Sequence, residues 1–297
     1  MTRVLRHTTT LVGALAAGAA GLVGLAWGTA CVVLWWLQEA LIFPAPGGID
    51  RSALDQTAAE VGAEPFALTA DDGVPLYAWR RARPPTRSTP CAVLYLHGNG
   101  ETVAGSARLG QAVSRAGCDF SVVAWRGYPG SGGRPSEDGL RRDARALWDH
   151  VTGTAGIPAE RVVVHGRSLG GGVAVQLAAA VQPGAVVLES TFRSVRAIAA
   201  ASYPWLPVNA LLRHPFDSEA VAPRIERPTL VLHGTADHTI PVAHGRTLAD
   251  VLPRARYREI PDVDHDQSLA LGAARDDYLG LVRWAGSPAP GPVPPGW

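Results

Sequence analysis

One stretch constrains the fold more than any other: Val162-Val163-Val164-His165-Gly166-Arg167-Ser168-Leu169-Gly170-Gly171-Gly172. A β-branched apolar run ends in Gly-x-Ser-x-Gly and passes at once into an Ala-rich helical run, Val173 to Val181. Strand, sharp turn and helix in that order are what a nucleophile elbow requires. Glycines at 166 and 170 let the strand and helix approach closely, and the turn lifts the Ser168 hydroxyl to the carboxyl end of the strand. The first N–H groups of the helix, beginning at Leu169, bring positive dipole character to the point where an oxyanion would form. The competing reading of the pentapeptide is a glycine-rich turn in some other α/β sheet. The strand before it and the helix after it favour the nucleophile.

The rest of the chain repeats the same alternation. Apolar runs at Ala92–Leu96, Phe120–Trp125, Ala185–Leu188, Thr229–Leu232 and Tyr257–Ile260 alternate with helical patterns at Thr102–Arg115, Ser136–Val151, Val242–Val251 and Gln267–Trp284. Such alternation predicts an α/β fold, a mostly parallel central sheet with helices on both faces. Two earlier strand-like runs, Phe66–Thr69 and Pro75–Arg83, join at the turn Asp71-Asp72-Gly73, and Ile49–Gly62 carries a short helical pattern. Three strands end in the same pair: His97-Gly98, His165-Gly166 and His233-Gly234. These histidines follow apolar runs and are expected to pack beneath the site rather than to hold a metal, since no set of carboxylates or cysteines completes a ligand group.

The first residues carry Arg3 and Arg6, and Leu11 to Leu37 contains no charge. About 20 apolar residues span a bilayer as a helix, whereas a cleaved signal has an apolar core of about 7–15. The expected organisation is a cytoplasmic N-terminus at 1–10, a transmembrane signal anchor at 11–37, a linker at 38–64, the catalytic domain at 65–286 and a Pro-rich, disordered tail at 287–297. Trp35 and Trp36 would lie at the far interface. No basic residue follows the span until Arg51, so the positive-inside rule assigns the domain to the extracytoplasmic side of the cell membrane.

Composition removes several chemistries. All 27 basic residues are Arg, which excludes a P-loop lysine, a Schiff base and a Ser–Lys dyad. A net charge of +1 offers no footprint for nucleic acid. The three cysteines, Cys31, Cys91 and Cys118, form no Cys-x-x-Cys pair. Cys91 and Cys118 each open an apolar run, and either buried thiols or a disulfide between them fits that position. No metal and no cofactor is expected.

A serine nucleophile needs a base, and the base needs a carboxylate to fix its tautomer. In this kind of sheet the chain order is Ser, acid, His. Two carboxylates end strands after Ser168: Glu189 in Leu188-Glu189-Ser190, and Asp237 in His233-Gly234-Thr235-Ala236-Asp237. Asp237 is assigned as the acid, with Glu189 as the alternative. His238 is adjacent to the acid and His244 lies early in a helix. His265, in the polar loop Asp262-Val263-Asp264-His265-Asp266, is assigned as the base, and Asp266 as a cap for the last helix. The oxyanion hole would combine the Leu169 amide with that of Asn99, in the loop after the first buried strand; Gly100 is the near alternative.

Taken together, Gln38-Glu39-Ala40-Leu41-Ile42-Phe43-Pro44 after an apolar span, His97-Gly98-Asn99-Gly100, Trp125-Arg126-Gly127-Tyr128-Pro129-Gly130-Ser131-Gly132-Gly133, the elbow, Leu188-Glu189-Ser190-Thr191-Phe192 and His233-Gly234-Thr235-Ala236-Asp237 resemble the membrane-anchored serine hydrolases of the α/β-hydrolase superfamily. The resemblance runs from about residue 36 to about 285. It implies the α/β-hydrolase fold with a small cap insertion, here at 192–217, and Ser168, Asp237 and His265 as catalytic triad. It implies a small-molecule acyl ester or thioester as substrate, lipids included, with a peptidase of the same fold or a catalytically silent tethered protein as rivals. Oligomeric state is not readable from the chain. Aromatic and aliphatic residues of 192–217, such as Tyr203, Trp205, Leu211 and Leu212, suit either an apolar acyl pocket or simple packing.

Overall fold

The computed structural model describes residues 2–85, 90–266 and 272–287. Eight strands form one sheet: β1 (Glu64–Thr69), β2 (Pro75–Arg81), β3 (Ala92–Leu96), β4 (Asp119–Val123), β5 (Val162–Arg167), β6 (Ala185–Glu189), β7 (Thr229–Gly234) and β8 (Ala255–Ile260). Their spatial order is β1-β2-β4-β3-β5-β6-β7-β8. The β1–β2 and β2–β4 pairs are antiparallel, and every later pair is parallel.

The solid apolar runs become the central strands, because a strand covered on both faces has no polar side. Every residue of β3, β4 and β6 is buried. Leu94 and Leu96 point into the cluster formed with α4 (Glu137–Asp149), α5 (Leu169–Val181), α8 (Ser218–Val221) and α9 (Ala243–Val251). Val93 and Tyr95 point into the opposite cluster, with α2 (Arg51–Val61), α3 (Ala107–Ala116) and α10 (Gly272–Ala285). Polar caps mark where the helices begin: Ser136 accepts a hydrogen bond from the Gly139 amide, and Asp50 from that of Ala53.

From β3 the chain goes outward on one side to β4, then crosses back to add β5 on the other. The reversal opens a crevice beyond the carboxyl ends of β3 and β5, where ligands bind in open parallel sheets. Both His97-Gly98-Asn99 and Ser168 lie at that crevice.

Three features refine the sequence reading. The N-terminal helix α1 (Thr2–Ile42) runs past Leu37 into the stretch read as linker, and α2 falls on the helical pattern expected at 49–62. A disulfide joins Cys91 to Cys118 at the amino ends of neighbouring strands β3 and β4, which resolves the two readings left open for these thiols. The cap consists of α6 (Val195–Ser202) and α7 (Val208–Leu211) with their connecting turns. Most of the Pro-rich tail, 288–297, lies outside the described residues.

Candidate active site

Ser168 joins β5 to α5 with φ 51° and ψ −119°. A left-handed φ on a non-glycine residue costs about 1–3 kcal/mol and persists only where its surroundings over-determine it. Here the Ser168 N–H donates to the Glu189 carbonyl at 2.9 Å, and the Thr191 hydroxyl donates to the Ser168 carbonyl at 2.7 Å. The turn also needs glycine on either side. A Cβ at 170 would lie 1.9 Å from the Leu96 carbonyl oxygen, and one at 166 would lie 2.4 Å from that of Gly170. Strand, elbow and helix are thus interlocked with β3 at backbone contact.

The His265 ring reaches the elbow from the loop after β8. Its Nε2 lies 3.1 Å from Ser168 Oγ, and its Nδ1 lies 2.7 Å from Asp237 Oδ2. With Nδ1 donating to the carboxylate, Nε2 is left as the acceptor for the serine hydroxyl. Asp237 is held on its other oxygen by the amides of Thr239 and Ile240, at 2.9 and 2.7 Å. Burial alone would raise its pKa. Hydrogen bonds from His233, His265 and the Ile240 amide outweigh that and hold the carboxyl well below the usual range.

The other candidates face elsewhere. Glu189 lies 3.0 Å from His165 Nε2, beneath the elbow. The His238 amide donates to Asp264, and His244 Nδ1 accepts from the Arg193 amide. Asp266 pairs with Arg167; the residues it was expected to cap, 267–271, lie outside the described ones.

The strand-end histidines are all fully buried, each with its own partner. His97 sits between the rings of Trp125 and Tyr128 and bonds the Gly98 carbonyl at 2.9 Å. Burial pushes its pKa down to about 4. His165 serves Glu189. His233 donates from Nε2 to the Ile240 carbonyl at 2.8 Å and lies 3.3 Å from Asp237, so it braces the acid directly.

Leu169 is the first residue of α5, and its N–H has no carbonyl one turn earlier in the helix to receive it. Leu169 and Asn99 line the same cavity. The Asn99 side chain is already engaged: Nδ2 donates to the Ile42 carbonyl at 2.8 Å, and Oδ1 accepts from the Tyr128 hydroxyl at 2.7 Å. Those two bonds anchor the loop. Gly100, in a left-handed turn, is not among the cavity-lining residues.

Sequence reasoning missed Arg167, the residue before Ser168. Its guanidinium pairs with Glu101 of the loop after β3 and Asp266 of the loop after β8, and donates to the His265 carbonyl at 3.3 Å. Glu101 in turn accepts from the Gly98 amide at 3.1 Å. Burial raises the Glu101 pKa while Arg167 pulls it back. One side chain therefore ties the two loops that meet over Ser168. Opposite charges at 101 and 167 are visible in the sequence, but only the β3–β5 pairing brings them together.

Ser168, His265 and Asn99 form the polar end of a cavity of about 500 Å³, within the usual range for small-molecule sites. Phe192, Ile198, Tyr203 and Leu206 of the cap region line it, so that segment both packs on the core and walls the cavity. Among the described lining residues there is no carboxylate.

Comparison with known proteins agrees with this architecture. The family model for serine aminopeptidases, S33, matches residues 88–213. The chain is 30% identical over 278 residues to the alpha/beta hydrolase domain-containing protein WAV2 of Arabidopsis thaliana, covering 86% of this chain and 89% of that protein. It is 28% identical over 259 residues to an uncharacterized membrane protein of Saccharomyces cerevisiae, with 84% and 89% covered. Among solved structures, the Pyrococcus furiosus esterase Pf2001 is similar with a TM-score of 0.61 at 16% identity, over 81% of this chain and 94% of that one. At that identity the likeness speaks for the fold alone.

Proposed function

Since the chain belongs to the α/β-hydrolase superfamily, we propose that it is a serine hydrolase cleaving carboxylic esters or thioesters through an acyl-enzyme. The observation that carries this reading is the relay Ser168–His265–Asp237, with contacts of 3.1 and 2.7 Å, whose serine and histidine line a largely apolar cavity. Ser168 Oγ attacks the substrate carbonyl carbon as His265 Nε2 takes the hydroxyl proton. Asp237 stabilises the resulting imidazolium and keeps the ring oriented. The amides of Leu169 and Asn99 receive the oxyanion; losing one such donor costs about 2.7–4 kcal/mol in the barrier. Collapse of the tetrahedral intermediate breaks the bond to the alcohol or thiol, which leaves with the proton from His265. Water then attacks the acyl-enzyme by the reverse assistance and frees the acid.

The aminopeptidase family model favours a second reading, cleavage of a peptide beside a free amine. An α-ammonium held in the cavity calls for a carboxylate partner, and the described lining residues offer none. We therefore favour the ester. Labelling with a fluorophosphonate probe, abolished in Ser168→Ala, tests the nucleophile; an unlabelled wild-type protein would support a catalytically silent tethered protein instead. Comparing p-nitrophenyl esters with aminoacyl-p-nitroanilides tests the leaving group, and preference for the anilides would refute the ester assignment.

The same reading makes α1 a single-pass anchor with the domain extracytoplasmic. Its long apolar stretch, the yeast relative's description as a membrane protein and the Cys91–Cys118 disulfide support this, since disulfides persist in oxidising compartments. A reporter fused after Trp297 that is active only in the cytoplasm would refute the orientation.

A further inference from the structure

The part of α1 nearest the domain does more than connect. Leu34, Trp35, Gln38, Leu41 and Ile42 share one helical face, and all line the cavity that ends at Ser168 and His265. Polar contacts lock that face to the cap. Gln38 donates to the Leu211 carbonyl and accepts from the Arg213 amide, at 3.2 and 2.8 Å. Arg213 pairs with Glu39 at 3.2 Å and lies over the Trp35 ring at 4.7 Å. The last carbonyl of the helix, that of Ile42, receives the Asn99 side chain. A mere tether needs none of these contacts.

The cap also reaches far along the helix. Trp27 Nε1 donates to the Trp205 carbonyl at 3.1 Å. A hydrocarbon core of about 30 Å takes about 20 helical residues; the cap contact at Trp27 calls for a shorter span than the 11–37 expected from sequence, from about Leu11 to about Ala30, with Trp35 and Trp36 beyond the core. The tip of the cap then sits at the depth of the bilayer interface. Its exposed residues suit that depth: Trp205 is 51% and Tyr203 40% accessible, and Trp and Tyr favour the interface. Arg213 and Glu39 lie on the aqueous side of the same junction.

We infer that α1 forms one wall of the acyl pocket, and that the pocket receives the long acyl chain of an ester resident in the bilayer, entering between cap and helix. The inference rests on the serine-hydrolase and membrane-anchor readings above. An apolar chain passing from lipid into this cavity never crosses water, while its carbonyl arrives at the polar end beside Ser168. Helix and cap act together as the specificity element for chain length.

The test uses the full chain in phosphatidylcholine nanodiscs, with p-nitrophenyl esters from acetate to palmitate. Leu34→Trp and Leu41→Trp fill the helix side of the pocket. Each is expected to lower the ratio of palmitate to acetate kcat/KM at least tenfold, and an unchanged ratio in both variants overturns the helix wall. Trp205→Cys carrying a fluorophore is expected to be quenched by nitroxide-labelled lipid, and absence of quenching overturns entry from the bilayer. The two readings separate cleanly. Intact turnover without quenching or a ratio change sinks this inference alone, whereas no turnover on any ester sinks the serine-hydrolase reading and the substrate class with it.

Discussion

Two neighbouring strands end in the same chemical pair, a carboxylate bonded to a histidine. At β6, Glu189 lies 3.0 Å from His165; at β7, Asp237 lies 2.7 Å from His265. The first pair is sealed. His165 is packed against Tyr95 and Tyr278 and has no access to the cavity. The second is open, with His265 on a loop and its far nitrogen aimed at Ser168. Residue type does not separate the two. What separates them is whether the histidine arrives from a strand interior or from a loop that folds over the crevice.

The largest expected effect tests that contrast. Asp237→Asn should lower kcat about 10⁴-fold, because the amide favours the wrong tautomer of the base. Glu189→Gln should leave kcat within about tenfold of wild type. If the two losses turned out equal, the contrast between sealed and open pairs would be lost.

Next in size is Arg167, the clamp between the loops that carry Asn99 and His265. Arg167→Met should lower kcat about 10²-fold, the scale of a misplaced catalytic group. It also leaves the half-buried Glu101 without its cation. Adding Glu101→Gln should restore thermal stability but not the rate, and recovery of both would assign Arg167 a purely structural role.

Stability tests the sealed side. Glu189→Gln should cost about 1–3 kcal/mol in denaturant unfolding, the range for weakening a buried, charged hydrogen bond. The third strand-end histidine, His97, adds a pH dependence. Its folded pKa, about 4, lies below the ordinary 6.5. Its contribution is therefore fully present above pH 6.5 and is lost as pH falls toward 4, amounting to up to about 3 kcal/mol. Chemical denaturation of His97→Gln across that window should show a flatter acid limb, and an unchanged slope would remove His97 as its source. Asp237 carries the same sign lower down, since its depressed pKa gives stability that is lost only below about 3.8. The gap between wild type and Asp237→Asn should narrow there.

Much of this was legible in the order of residues. The run Val162 to Val181 specifies strand, turn and helix through local means: β-branched periodicity, then glycines, then an alanine-rich repeat. The same kind of signal located the strands and most helices. It also singled out Ser168, Asp237 and His265, which the fold brings within hydrogen-bond distance, because loops at the carboxyl ends of parallel strands face one crevice. Strand-turn context already favours Asp237 over Glu189; the fold adds which histidine each carboxylate meets, His265 for Asp237 and His165 for Glu189. Only the fold joined Cys91 to Cys118, brought Arg167 to Glu101 and Asp266, and laid the end of α1 along the cap. Those relations depend on the strand order β4-β3-β5-β6-β7 and on how the elements pack. Periodicity reports which face of an element is apolar, and has no means of reporting what that face meets.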